Sequence, residues 1–157
     1  MEGVTVLDAP RYKIPISVLV VIHTPDLQVL LLERADAPDF WQSVTGSLNP
    51  GESPWQTAVR EVGEETGLDA SRYALTDWRQ QYEFELFARW RNRYAPGVTH
   101  NTEHVFGLQV PQPLNIRLAP REHLNYLWLP WQAAAEKCFS WSNAAAIRLL
   151  PGRVGAS

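Results

Sequence analysis

A chain of 157 residues, 45% hydrophobic and 20% charged, has the length and composition of one globular domain with a single sizeable core. Its 14 Lys and Arg against 17 Asp and Glu leave a formal charge of −3, which excludes the strongly basic field of a general nucleic-acid binder and leaves any polyphosphate ligand in need of positive charge from elsewhere. One cysteine, Cys138, excludes an internal disulfide framework, and no set of thiols and imidazoles stands at zinc spacing, so Cys138 reads as a small core residue.

At the N-terminus, Met1 to Pro10 carries acids and a proline where a signal peptide needs basic residues followed by an apolar stretch. The longest apolar run, Ile14 to Ile22, is broken by Pro15 and Ser17 and falls short of the roughly 20 residues of a membrane helix. The expectation is a cytoplasmic protein with no membrane partner, residues 1–157 forming one domain and Pro151 to Ser157 a frayed tail. Ile16 to Ile22, rich in Val and Ile, predicts a buried strand, and Gln28 to Arg34 a second strand paired with it across the turn-like Thr24-Pro25-Asp26.

The next element is a helix. Ser53-Pro54-Trp55-Gln56 offers a capping box with proline at the first helical position, and Gly67 supplies the stop. Trp55, Ala58, Val59 and Val62 recur at i, i+3, i+4 and i+7 and form a stripe that packs on a sheet. Beside it Glu61, Glu64 and Glu65 fall within an arc of about 100°. Three carboxylates on one helix edge repel by a few tenths of a kcal/mol per pair, a cost that a divalent cation reverses, because hard cations take carboxylate and phosphate oxygens together. Gly63, at about 1 kcal/mol relative to alanine inside a helix, has no physical account in the sequence.

Further strands are expected over Gln80 to Phe87, Glu103 to Val110 and Tyr126 to Leu129, with helices over Trp131 to Lys137 and Asn143 to Leu150. The fold class is α/β. Arg89, Arg91 and Arg93 alternate, so a strand there would carry them on one face, either as a solvated edge or as a collar for an anionic ligand. The seven tryptophans, Trp41 and Trp141 among them, read mainly as packing.

An isolated Glu-Glu pair is usually a solvated helix face. Here the surrounding residues decide otherwise. Gly46 to Leu68, GSLNPGESPWQTAVREVGEETGL, fits the Nudix box G-x5-E-x7-R-E-U-x-E-E-x-G-U, with U aliphatic, at every fixed position. Chance would produce that match in fewer than about one in a million chains of this length. The chain therefore resembles Nudix hydrolases, which implies an α/β/α sandwich with a mixed sheet and Mg²⁺-dependent cleavage of a diphosphate linkage, with Mn²⁺ as a possible substitute. By the same resemblance Glu61 and Glu65 are the principal metal ligands, Glu64 is a further direct or water-mediated one, and Glu52 with Arg60 braces the loop against the helix. Gly46 and Gly51 match its turning points.

Beyond the box, Tyr12-Lys13, Asp39 to Ser47, Phe84 to Phe87, Arg93 to Val98 with Asn101-Thr102-Glu103, Glu122-His123 and Ser140 to Asn143 are similar to the bacterial dihydroneopterin triphosphate pyrophosphatases of folate synthesis. That resemblance implies a small-molecule polyphosphate substrate hydrolysed to dihydroneopterin monophosphate and pyrophosphate. It makes Lys13 and Arg34 contacts to phosphate or pterin, Thr45 a wall beside the box, Phe84, Glu85, Leu86 and Phe87 the pterin pocket, and Ser140 its C-terminal closure. Glu122 becomes a metal ligand and candidate general base. Ser140, Ser142 and Asn143 read equally well as caps of the last helix. His100 departs from the basic residue expected in its loop, and His123 reads as structural rather than catalytic, since metal-assisted water activation needs no imidazole. Two other readings stand beside this one: a purine nucleotide such as dATP or oxidised dGTP as substrate, and a non-catalytic nucleotide-binding module.

Overall fold

The computed structural model describes residues 12–154. Seven strands form one mixed sheet: β1 (Ile16–His23), β2 (Gln28–Arg34), β3 (Trp41–Gln42), β4 (Val44–Ser47), β5 (Ala74–Glu85), β6 (His100–Gln109) and β7 (His123–Pro130). Helix α1 (Pro54–Thr66) lies between β4 and β5, and α2 (Trp131–Lys137) and α3 (Trp141–Arg153) follow β7. The sheet runs β3-β2-β1-β6-β5, with β4 also on β1 and β7 also on β2.

Strand β1 is buried on both sides because its apolar residues are continuous rather than alternating. Val18, Val20 and Ile22 join Ala58 and Val62 of α1 on one face, while Leu19 and Val21 join Ala134, Ala144, Ala146, Ile147 and Leu150 of α2 and α3 on the other. Helices thus cover both faces, the α/β/α sandwich expected for the box. Strands β1 and β2 do pair, in register at His23 and Val29 next to their turn. Further on they separate. The short strands β3 and β4 fill the gap, β3 on β2 and β4 on β1, leaving β6 along the whole opposite edge of β1 in parallel.

Helix α1 has the anticipated ends. The Ser53 hydroxyl accepts from Gln56 N–H at 3.1 Å and the Gln56 side chain accepts from Ser53 N–H at 2.9 Å, while Gly67 closes the helix at φ +76° with its N–H on the Gly63 carbonyl. Ala58 and Val62 are fully buried, but Trp55 is 47% exposed, its ring edge-on to Phe106. It borders the apolar stripe rather than filling it. Gly63 has room for a methyl group, the nearest obstacle being the Leu68 carbonyl at 3.8 Å, so packing does not explain it.

Three expectations need correction. Arg89, Arg91 and Arg93 lie in a 3₁₀ helix (Ala88–Arg93), because β5 ends at Glu85, and three residues per turn scatter their directions. Helix α3 begins at Trp141 and runs through Pro151 to Arg153, so the residues after Leu150 are not a frayed tail up to that point; residues 155–157 lie outside the described ones. Strand β5 starts six residues early, at Ala74, and absorbs a bulge between Asp77 and Gln80 at which Arg79 adopts φ +55°. Among the described residues no helix is long and apolar enough to cross a membrane.

Candidate active site

A cleft of about 920 Å³ opens where β1 and β2 separate, and it gathers residues from the loop before β1, from β4, α1 and β6, and from the loops before β7 and α3. One end is charged and belongs to the box. Glu52 holds Arg60 by two contacts of 2.8 and 2.9 Å, and Arg60 in turn reaches the Ser47 carbonyl and Glu64, both at 3.1 Å. That fork pins the loop to the helix. Its effect on Glu52 is to hold the carboxyl near 2, well below the usual range.

Glu61 and Glu65 are buried, 9% and 2% exposed, whereas the Glu64 side chain is 52% exposed and turned onto Arg60. Burial pushes Glu61 up to about 7, against the nearby Arg60, and pushes Glu65 well above the carboxylate range, with Glu61 and then Glu122 adding to the effect. A backbone N–H from Thr45 partly opposes the shift at Glu65, while the Thr45 hydroxyl donates to the Val18 carbonyl at 2.8 Å. Oε1 of Glu65 has no hydrogen-bond partner among the described residues. A Cβ at Gly46 would overlap the Glu61 carboxylate, so this glycine is what lets β4 pass beside it. A buried pair of facing carboxylates with an orphaned oxygen suits a hard divalent cation and is otherwise costly. Three or more His, Cys, Asp or Glu side chains poised together for a metal are not found among the described residues. Glu64 is diverted to Arg60, and Glu122 is exposed at the rim of the cleft, where its charge is felt by Glu65.

Cations stand across from these acids. Lys13 is exposed at the mouth yet crowded, and its ammonium is held below the usual lysine range first by desolvation and then by Arg93 and Arg34. Arg34 is largely committed within the protein: it forks onto Asp36 at 2.7 and 2.8 Å, donates to Gln42 at 3.0 Å, and lies 4.3 Å above the Trp90 ring. Arg93 adds 3.1 Å to the same Asp36, which the two arginines hold far below the ordinary carboxylate range. Arg93, named in the sequence both in the alternating triplet and in the block Arg93 to Val98, is thereby brought to the site by the 3₁₀ helix.

The inner end is apolar. Leu19, Phe84, Leu86 and Phe139 line it, and Phe87 and Trp90 extend it, their rings 5.4 Å apart and each within 6 Å of Phe139. Of the block Phe84 to Phe87, Glu85 does not take part, because strand alternation turns it outward onto Arg91. Ser140 lines the cleft and also caps α3 through Asn143 N–H at 3.4 Å. Asn143 is tied to Ser43 by two hydrogen bonds of 2.8 and 3.0 Å. His123 is buried, with Nε2 3.8 Å from Oε1 of Glu65, and desolvation lowers it to about 4, so it is neutral at physiological pH. Glu103, also buried, lines the inner end. The sequence reading assigned it no role.

Comparison with known proteins bears on the same span. The NUDIX domain family model matches residues 13–150. The chain is 51% identical to the dihydroneopterin triphosphate diphosphatase of Escherichia coli K12 over 139 residues, 87% of this chain and 91% of that protein. It is 45% identical to the Haemophilus influenzae protein of the same description over 141 residues, 88% of each. The solved E. coli dihydroneopterin triphosphate pyrophosphohydrolase superposes with a TM-score of 0.83, covering 87% of this chain and 94% of that one.

Proposed function

Because this chain belongs to the Nudix family, we propose that it is a hydrolase of phosphorus anhydrides whose substrate is dihydroneopterin triphosphate, cleaved between the α- and β-phosphates to the monophosphate and pyrophosphate. The observation that carries this reading is the joining, in one cleft, of a buried carboxylate pair at one end and an apolar chamber lined by Leu19, Phe84, Leu86 and Phe139 at the other. The residues along it are the ones that resemble the diphosphatases. We read the chain as a single Nudix domain acting in the cytoplasm on a small molecule.

Glu61 and Glu65 would hold Mg²⁺, or Mn²⁺ in its place, with Glu122 completing the set and Glu64 contributing directly or through water. Such an ion, when bound, neutralises phosphate charge and lowers the pKa of water. The chain's own residues do the rest. Lys13 and Arg93, with whatever reach Arg34 retains beyond Asp36, draw the triphosphate against the acidic end. Arg60 fixes Glu52 and Glu64 so that the loop and the helix edge keep their spacing. Glu122, exposed and facing the buried pair, takes the proton of the attacking water. Leu19, Phe84, Leu86 and Phe139 exclude water from the ring and set its distance from the reacting phosphorus. No serine or cysteine nucleophile is required, and Cys138 is unsuited to that role, since burial pushes its thiol up to about 12.

The test is a panel of kcat/KM values for dihydroneopterin triphosphate, GTP, dATP and oxidised dGTP with Mg²⁺. A clear preference for the pterin supports the reading. Equal or reversed values replace it with a general nucleotide hydrolase, and absence of pyrophosphate release from every compound would leave a binding module.

A further inference from the structure

The apolar chamber holds a buried carboxylate. Glu103 is 5% exposed, and its Oε1 has no hydrogen-bond partner among the described residues. It reaches the chamber through the sheet: Ser17 and Glu103 are partners in the parallel pairing of β1 with β6, two residues before Leu19 and Val105, which belong to the core on the same face. The pattern of that face is apolar from Leu19 and Val105 onward and polar in the layer before them, at the level of the cleft.

The other polar groups there are already engaged. Ser17 accepts from Asn101 at 2.8 Å, Asn143 spends its amide on Ser43, Gln42 accepts from Arg34, and Ser140 caps α3 and contacts Ser142. Glu103, unlike Ser17, Gln42, Ser140 and Asn143, keeps a buried acceptor unused. Desolvation raises its carboxyl to about 7, offset only by the neighbouring Ser142 hydroxyl and by no cation. A buried carboxylate with neither a counter-charge nor a full set of donors is expensive, and such groups persist where a ligand supplies the donors.

We propose that Glu103 is the residue that reads the ring, its carboxylate accepting two parallel N–H bonds from a 2-amino-4-oxo pyrimidine edge, in which a ring N–H and the exocyclic amine point the same way. The proposal rests on the reading of this cleft as a triphosphate site with the ring at its apolar end. Pterin and guanine share that donor pair. Adenine offers a ring acceptor beside its amine, which would set two lone pairs against each other. The carboxylate thus selects for the amino-oxo ring by attraction and against adenine by repulsion, while the chamber's shape is left to separate pterin from guanine.

The experiment is steady-state hydrolysis of dihydroneopterin triphosphate, GTP and dATP by the wild type, Glu103→Gln and Glu103→Ala with Mg²⁺. It is paired with binding of phosphate-free neopterin to the same proteins and to Glu65→Gln without metal. Glu103→Gln keeps the size of the side chain, replaces one acceptor with a donor and removes a buried charge. The expected result is that the dihydroneopterin triphosphate to dATP ratio of kcat/KM falls by about 10- to 100-fold in both Glu103 variants, mostly through KM, with the GTP to dATP ratio falling alongside. Neopterin binding should weaken by a similar factor in the Glu103 variants and persist in Glu65→Gln. Proportional losses for all three triphosphates, or unaltered ratios, would overturn the role of Glu103. If the wild type fails to prefer the pterin over dATP, the substrate assignment falls, whereas a fall in the GTP to dATP ratio in the variants would still uphold Glu103. Neopterin binding decides the matter should a variant hydrolyse nothing.

Discussion

Nε2 of His123 and Oε1 of Glu65 face each other at 3.8 Å, both buried, beyond hydrogen-bond reach and with the imidazole uncharged. The contact is therefore packing of two polar side chains, not an ion pair. A neutral imidazole packed this close to Glu65 is a structural neighbour of the carboxylate rather than its counter-charge. His123→Asn should lower the melting temperature by several degrees, equivalent to about 1–2 kcal/mol, and keep kcat within about tenfold of wild type. A loss of kcat as large as that of a metal-ligand variant would make the imidazole a participant in the chemistry.

Glu65 itself gives the sharpest contrast between activity and stability. Glu65→Gln removes one of two facing buried acids, so kcat should fall by more than about 10³-fold while the metal-free protein melts at the same temperature or higher. Thermal melts in EDTA beside activity in Mg²⁺ check both halves. A fall in the metal-free melting temperature would mean that the pair is stabilising without metal, contrary to the orphaned oxygen at its centre.

For Glu122, an exposed residue, the default mutational cost in stability is near zero. Glu122→Gln should nevertheless lower kcat by about 10²-fold, the scale of a lost general base. The acidic limb of the kcat pH profile should disappear with it. Wild-type kcat at limiting Mg²⁺ would return Glu122 to the status of solvated surface.

Stability should depend on pH through Glu103, whose carboxyl rises from 4.5 to about 7 on burial. Below pH 4.5 the group is protonated in both folded and unfolded chains and costs nothing. Between there and about pH 7 the unfolded chain alone releases the proton, so stability declines as pH rises, and above that the penalty is constant. Tyr82 and Tyr94, raised above the usual phenol range first by desolvation and less by the charge of Glu103, titrate well above this window. Glu103→Gln should therefore be more stable than wild type at pH 8, by at most about 3 kcal/mol at roughly 1.4 kcal/mol per unit of displacement, and nearly equal to it at pH 4. Denaturant melts at the two pH values give the difference directly, and a stabilisation that does not change with pH would show that the carboxyl is not perturbed.

Glu52, Arg60, Glu61, Glu64 and Glu65 were legible because they lie within one helix and the loop entering it, where residue spacing alone fixes their direction. Lys13, Thr45 and Ser140 were placed by resemblance and do line one cleft. What spacing cannot convey is competition for a side chain. Arg34 is drawn to Asp36, Glu64 to Arg60, and Glu85 away from the cleft to Arg91. The arginine triplet misled because alternation identifies a face only if the backbone is extended, and β5 ends three residues before Ala88. Glu103 was missed for a different reason. A polar residue two positions ahead of a core valine is visible in the sequence, but its place in the cleft depends on β6 meeting β1 across more than eighty residues of chain.

That parallel pairing also orders the assembly of the site. The acidic end is drawn from Gly46 to Glu65, so closing it costs little loop entropy, and the end of one strand, a loop and a helix from one stretch of chain nearly suffice. The inner end needs Ser17 beside Glu103 and Ser43 beside Asn143, contacts that close loops of most of the polypeptide. Contacts of such separation form slowly and late. A folding intermediate that holds β4 and α1 but has not yet docked β6 and α3 would bring the carboxylate pair together before it could discriminate between rings. Metal affinity should accordingly be recovered earlier in refolding than substrate selectivity.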